Sequence, residues 1–311
     1  MTMQLVLFLQ DLGVERRVVR DLILEAGLPF APTWEDWRRV ESPERVRAVV
    51  TVKTIVDDHM FDRFPNAHMI AVAFTGFDCV DLDACRRRDI AVYNVPSYST
   101  DSVAELTLGL TICLMRDIPR CDRLIRRGGW KLDSWGTELT NKVVGILGTG
   151  AIGLRVAELF KAFKCKLIGW SRTERKEFTD LGGTYLPREQ VLSEADVVSI
   201  HLPLSKDTEG IVGERELGLM KPGACLINTA RGRVVDKAAL ARVLQERRIR
   251  AALDVFDQEP IPPDDPLIRP DDTVLTPHIA FKTSEALQRR ARITVQNIRA
   301  FLNGNARNRI A

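Results

Sequence analysis

An arginine, a glutamate and a histidine each stand just past a short apolar run. Arg231 closes Ile227-Asn228-Thr229-Ala230-Arg231-Gly232, Glu259 follows Ala252–Phe256 in Asp257-Gln258-Glu259-Pro260, and His278 lies in Thr276-Pro277-His278-Ile279-Ala280. Each type brings a distinct capability. The planar fork of an arginine can hold a carboxylate and polarise an adjacent carbonyl. A histidine can protonate a developing alkoxide or remove a hydroxyl proton, and a glutamate beside it favours the imidazolium and orients the ring. Taken singly they have plainer readings: an exposed charge, a helix-capping acid, a packed loop residue. Their recurrence at three successive strand ends favours the chemical reading, because doubly wound sheets gather ligands at the carboxyl ends of their strands.

A second constellation is Gly148-Thr149-Gly150-Ala151-Ile152-Gly153, preceded by Val143–Leu147 and followed by a helical apolar face at Ile152, Val156, Leu159, Phe160 and Phe163. A lone G-x-G-x-x-G is weak, but here it follows a strand and opens a helix, as a dinucleotide-binding turn requires. Gly148 permits the tight turn, Gly150 the close approach of a pyrophosphate and Gly153 the contact of helix with sheet. The helix start at Ala151 and Ile152 favours negative charge. At the end of the next strand an NAD site usually offers an acid to the adenine ribose. This chain has Ser171-Arg172-Thr173, with Glu174 past the expected strand end. Ser171 can bond a phosphate and Arg172 can clamp it, so NADP is expected over NAD, with an exposed loop arginine and bound NAD as the alternative. His201 and Thr229, at the ends of two further strands, are further expected cofactor contacts, as is His278.

Alternating elements must position these groups. Leu5–Leu9, Val46–Thr51, Met69–Ala73 and Ile90–Asn94 read as strands, with helices over Val14–Ala26 and Leu82–Arg88. A long helix runs from about Asp101 to Met115, with apolar Val103, Leu106, Leu110 and Leu114. After the polar stretch Gly128–Asn141 come strands at Val143–Leu147, Leu167–Trp170, Val197–His201, Cys225–Thr229, Ala251–Phe256 and Thr273–Leu275. A helix begins near Asp236, and Ser284–Leu302 forms a last long one. Short apolar strands alternating with amphipathic helices predict parallel sheets covered by helices. The expected fold class is α/β: two Rossmann-like parallel-sheet domains with an active-site cleft between them. The substrate domain is 1–98, completed by 285–311, and the dinucleotide domain is 99–284.

Composition narrows the class further. Of 311 residues, 45% are hydrophobic and 28% charged, a soluble globular balance rather than a disordered one. No apolar run reaches membrane-spanning length and no signal peptide is evident. Six scattered cysteines and four dispersed histidines suit thiols in a reducing compartment and no metal site, so the expected location is cytoplasmic. The formal charge is only +3, and Arg86–Arg88 and Arg247, Arg248 and Arg250 read as solvated faces, not a nucleic-acid surface.

Together Gly148–Gly153, Leu219–Gly223 through Asn228–Gly232, Leu253–Pro260 and Pro277-His278-Ile279 resemble the D-isomer-specific 2-hydroxyacid dehydrogenase family over nearly the full chain. The resemblance implies Arg231 as binder of substrate carboxylate and carbonyl, His278 as acid/base and Glu259 as its partner. It likens Asp254 to the residue that binds the nicotinamide carboxamide. Pro96 and Ser102-Val103-Ala104-Glu105 resemble the crossing between domains. Thr75 and Gly76, in Thr75-Gly76-Phe77-Asp78, resemble the loop whose N–H groups receive the substrate carboxylate. Three departures stand out: Phe74 where many members have glycine, Ile249-Arg250-Ala251-Ala252 without its usual glycine, and Phe281 in place of a small residue. The resemblance also implies a homodimer, to which Gly129, Trp130 and Trp135 of the crossing segment would contribute. The activity implied is hydride transfer between NAD(P)H and a small 2-keto acid, glyoxylate or hydroxypyruvate first. Alternatives are an NAD-linked D-lactate or phosphoglycerate-type dehydrogenase, or a nucleotide-sensing corepressor-like protein. Formate oxidation is disfavoured because Glu259 replaces an uncharged amide.

Overall fold

The computed structural model describes residues 3–131, 136–270 and 273–311. The chain divides into two compact units, Met1–Ser99 with Lys282–Ala311, and Thr100–Phe281.

In the first unit the chain runs β1 (Gln4–Phe8), α1 (Arg16–Glu25), β2 (Phe30–Thr33), β3 (Val46–Thr51), α2 (Asp58–Arg63), β4 (Met69–Val72), α3 (Leu82–Arg87) and β5 (Ala91–Tyr93). The strands are parallel in the order β2-β1-β3-β4-β5. Central β3 and β4 are buried almost end to end, as expected of strands covered on both faces. Edge strand β2 carries Pro32, whose missing N–H an edge tolerates. Asp57 and Asp81 cap α2 and α3 by accepting from Met60 and Ala84 N–H. The basic cluster is neutralised locally: Arg87 and Arg88 pair with Asp58, Arg88 also with Asp62, and Arg86 with Asp83.

The second unit contains α4 (Thr100–Met115), α5 (Ile118–Arg126), β6 (Val143–Leu147), α6 (Ala151–Ala162), β7 (Lys166–Trp170), α7 (Lys176–Asp180), β8 (Thr184–Tyr185), α8 (Arg188–Glu194), β9 (Val197–Ile200), α9 (Glu214–Leu219), β10 (Cys225–Asn228), α10 (Lys237–Gln245), β11 (Arg250–Leu253) and β12 (Thr273–Leu275). Its seven parallel strands lie in the order β12-β11-β10-β9-β6-β7-β8, which reverses direction between β6 and β9. On α6 the buried face is Gly153, Val156, Ala157 and Phe160, while the expected Phe163 lies past the helix end and is 40% exposed. On α4 two threonines join the core side. Thr107 and Thr111 donate to the carbonyls four residues back, so their buried hydroxyls are satisfied. The strand expected over Ala251–Phe256 ends at Leu253, where the chain turns into the site described below. Arg250 pairs with Asp117, and Arg248 donates to the Gly218 and Met220 carbonyls.

The last helix, α11 (Ser284–Leu302), returns to the first unit and buries Ala291, Val295 and Ile298 with Val6, Phe8 and Met69. Polar bonds fix its register. Buried Asn297 donates to Asn94 O at 2.7 Å and accepts from Asn308 at 2.9 Å, and beyond it Ile310 and Ala311 exchange backbone bonds with Val92. Among the described residues, no helix is long and apolar enough to cross a membrane, and no group of three His, Cys, Asp or Glu side chains could hold a metal. Replacing Asn297 by Ala strands the Asn94 carbonyl and the Asn308 amide. The expected cost is about 1–3 kcal/mol, read as a lowered midpoint of thermal unfolding, whereas an unchanged midpoint would refute this anchoring role.

Candidate active site

Neighbouring strands β10, β11 and β12 deliver three loops from their carboxyl ends. The first is shaped by Asn228, which is buried. Its Oδ1 accepts from Ala230 N–H at 3.0 Å and its Nδ2 donates to Arg231 O at 2.9 Å, folding the chain back so that Arg231 follows immediately. The Arg231 Nη1 donates to Ala230 O at 2.8 Å. Thr229 is also buried, with its hydroxyl 3.0 Å from that of Thr107 on α4. Gly232 is dictated by what lies beside it: a Cβ there would come within 2.2 Å of the Phe256 carbonyl carbon. The Arg231 loop therefore rests on the backbone of the loop that carries Glu259.

In that second loop, Phe256 N–H donates to Glu259 Oε1 at 3.3 Å. The carboxylate also meets His278, with Nδ1 at 2.9 Å from Oε1 and 2.7 Å from Oε2. Because an ionised carboxylate only accepts, Nδ1 carries the proton, and proton exchange with anything else falls to Nε2. His278 holds a left-handed backbone, φ 51°, unusual for a residue with a Cβ. Its N–H donates to the carbonyls of Asp254 at 2.8 Å and Thr276 at 3.0 Å. Phe281 packs edge-on against the imidazole, ring centroids 5.6 Å apart.

Asp254 holds this turn. It is fully buried, and its Oδ1 accepts from Thr276 Oγ1 at 2.6 Å and Ile279 N–H at 2.8 Å, while Oδ2 accepts from Ala280 N–H at 2.9 Å. These three bonds tie the carboxylate of Asp254 to the loop that carries His278.

Around the glycine turn, Gly148 has φ +98° and brings its Cα against His201, where a Cβ would come within 2.7 Å of the His201 carbonyl oxygen. At Gly153 a Cβ would meet Gly148 O at 2.0 Å, so helix α6 can approach the turn only with glycine there. Gly150 is the N-cap of α6 without a side-chain cap, and no atom lies within 4 Å of where its Cβ would be. Ala151, Ile152 and Gly153 thus begin a helix whose first N–H groups have no acceptor among the described residues, at the point where the strand order reverses. That cradle fits a dinucleotide pyrophosphate. Ser171, Arg172, Thr173 and Glu174 follow β7. Arg172 and Thr173 are exposed, and Arg172 Nη1 lies 3.7 Å from Asp207 Oδ2, both side chains largely in solvent.

In the first unit Thr75 donates from its hydroxyl to Val95 O at 3.1 Å and accepts at its carbonyl from Asn94 at 2.8 Å, which fixes the turn. The N–H groups of Thr75 and Gly76 have no acceptor among the described residues. Phe74 is buried against Tyr98, ring centroids 6.0 Å apart, and Ile249 is wholly buried, so these two departures are filled core positions. Trp130 is 85% exposed, Gly129 lies against Leu124, and Trp135 falls outside the described residues.

Sequence spacing missed several residues that shape the site: Asn228 as loop former, Thr107 beside Thr229, Asp207 beside Arg172, and Tyr185, whose hydroxyl is 2.6 Å from Thr149 Oγ1. The partners of Thr107 and Tyr185 are 122 and 36 residues away, so no local motif records them, whereas those of Asn228 lie only two and three residues on. The His201 ring accepts or donates at Nε2 to Ser199 Oγ, 2.8 Å away, and burial pushes its pKa down to about 3. The unfolded imidazole binds a proton near pH 6.5 and the folded one does not, so its contribution to stability is full above that pH. It is lost as pH falls toward 3, by up to about 1.4 kcal/mol per pH unit. His201→Gln should flatten the fall in thermal midpoint between pH 6.5 and 4, and a slope identical to wild type would exclude this origin.

Comparison with known proteins agrees with the geometry. The family model for the NAD-binding domain of D-isomer specific 2-hydroxyacid dehydrogenases matches residues 108–280. The chain is 38% identical over 301 residues to a glyoxylate reductase of Thermofilum pendens, covering 91% of this chain and 86% of that protein. The solved D-lactate dehydrogenase of Aquifex aeolicus, complexed with NAD and lactic acid, superposes with a TM-score of 0.87 at 28% identity, over 99% of both chains. The acyclic imino acid reductase Bsp5, in complex with NADPH and D-Arg, gives 0.88 at 28% identity, over 99% of this chain and 100% of that one. A nicotinamide dinucleotide is therefore the cofactor class of this domain. By sequence, by fold and by the cradle at the β6–β9 reversal, this chain belongs to the D-isomer-specific 2-hydroxyacid dehydrogenase family.

Proposed function

We propose that the protein reduces a small 2-keto acid, glyoxylate or hydroxypyruvate, to the 2-hydroxy acid, with NADPH preferred over NADH. The observation that carries the reading is the 2.7 Å contact of His278 Nδ1 with Glu259 Oε2, on a loop neighbouring that of Arg231. When bound, the nicotinamide supplies a hydride to the substrate C2. Arg231 holds the substrate carboxylate and draws electron density from the C2 carbonyl. The N–H groups of Thr75 and Gly76 are proposed as further carboxylate donors. His278 gives a proton from Nε2 to the carbonyl oxygen as it becomes an alkoxide, and Glu259, bonded to Nδ1, holds the ring in place for this donation. In the oxidative direction the same nitrogen removes the hydroxyl proton.

The glyoxylate assignment draws support from the relative in Thermofilum pendens that bears that name. The NADPH preference draws on Ser171-Arg172-Thr173 following β7 where an acid would serve NAD. The contact between Arg172 and Asp207 joins two exposed groups, is weak, and yields readily to a phosphate.

Initial rates with NADPH and NADH against glyoxylate, hydroxypyruvate, pyruvate and bulkier keto acids test the reading. His278→Ala should lower kcat at least about 10²-fold while NADPH still binds. Arg172→Ala should raise KM for NADPH and leave KM for NADH nearly unchanged. Wild-type preference for NADH would sink the cofactor assignment, and absence of turnover with every pair would leave a nucleotide-sensing role.

We also propose a cytoplasmic homodimer. Ile118, Ile125 and Trp130, all exposed within or just beyond α5, offer the apolar surface that an interface would cover. Sedimentation equilibrium should give about twice the 35.0 kDa chain mass, and a monomer at micromolar concentration would refute the dimer.

A further inference from the structure

Tyr185 lies in no motif, on edge strand β8, paired in register with Gly169 of β7. Its hydroxyl oxygen accepts from Arg175 N–H at 2.9 Å and lies 2.6 Å from Thr149 Oγ1. Either hydroxyl can donate in the contact with Thr149, so the one phenolic oxygen bridges the Arg175 backbone and the Thr149 side chain. Thr149 is the wholly buried residue between Gly148 and Gly150, and Arg175 closes the stretch Ser171–Arg175. The ring cannot easily drift. It packs on Phe178 with centroids 4.9 Å apart, and Phe178 is fully buried where a Cβ at Gly169 or Gly183 would come within 2.8 Å or 2.5 Å of its ring.

We infer that Tyr185 is a specificity-determining positioning residue whose hydroxyl ties the pyrophosphate turn to the segment that selects the adenosine ribose. The inference rests on the cofactor reading of Ser171–Thr173 given above. The pyrophosphate and the ribose 2′ position of a dinucleotide are covalently linked. A protein that grips both must therefore hold its two gripping segments at a matching separation, to within about 0.5 Å. Charge-assisted contacts to a 2′-phosphate demand this geometry, because they depend on the placement of both donor and acceptor. Helix-terminus contacts to the pyrophosphate are common to both nucleotides. Removing the tie therefore changes discrimination more than it changes binding as such.

The test is Tyr185→Phe in the full chain, with the Kd of NADPH and of NADH measured by titration calorimetry. The expected result is a roughly tenfold change in the ratio of the two constants, mostly from weaker NADPH binding, with kcat at saturating NADPH retained. Thr149→Val, which removes the other end of the tie at nearly constant volume, should shift the ratio in the same direction and serves if Tyr185→Phe does not fold. In an Arg172→Ala background the change should largely vanish, because Tyr185 acts through that segment. Equal weakening of both nucleotides, an unchanged ratio, or an undiminished shift beside Arg172→Ala would each overturn the inference. A wild type that prefers NADH would instead refute the NADPH assignment, since the present inference is judged on the shift from wild type to variant.

Discussion

The buried carboxylate of Asp254 is the constraint on which the site depends. A fully buried carboxylate is tolerable only when its oxygens are bonded, and here all three of its donors, Thr276 Oγ1, Ile279 N–H and Ala280 N–H, come from the loop that carries His278. The electrostatic need of one residue thereby dictates the path of another strand's loop. The left-handed backbone of His278 costs energy in isolation, and it persists because Asp254 binds the loop on both sides of it, through carboxylate and carbonyl alike. The imidazole then meets Glu259 without having to search for it.

The Arg231 loop is joined to this arrangement by close approach rather than by charge. Gly232 lies where any side chain would collide with Phe256 and Asp257, so the backbones of the two loops touch directly. Asn228 shapes one of them and its carbonyl receives the Asp254 N–H of the next strand. Three strand ends, one asparagine, one glycine and one aspartate thus fix the places of Arg231, Glu259 and His278 relative to each other within a single unit. Preorganisation of this kind is what charge stabilisation in a reaction requires.

Much of this was legible in the sequence, for identifiable reasons. Buried parallel strands such as Val46–Thr51 and Val143–Leu147 are continuous apolar runs, and the glycine turn carries its steric requirements in its letters. Edge strands were less visible: Phe30–Thr33 contains a proline and Thr184–Tyr185 has only two residues, too few for periodicity. The short helices at Asp58–Arg63 and Lys176–Asp180 have no repeating face to read. Within the site, Arg231, Glu259 and His278 stand out because their types suit chemistry at strand ends. The bonds of Asp254 to the His278 loop do not, because an aspartate after a strand looks the same whether or not its carboxylate ties down a neighbouring loop. Tyr185 escapes for a related reason, since its partner Thr149 is 36 residues away and is reached from two strands over.

The first unit takes its residues from both flanks of the second. Synthesis on the ribosome delivers residues in order, so Thr100–Phe281 emerges as an uninterrupted stretch that can fold as soon as it is free. The earlier strands must wait with an uncovered apolar face until α11 arrives to bury Ala291, Val295 and Ile298 against them. The edge at β5 is completed still later, by Ile310 and Ala311 bonding to Val92. During that interval the sheet of the first unit keeps an apolar face exposed to water, while the second unit can already be whole.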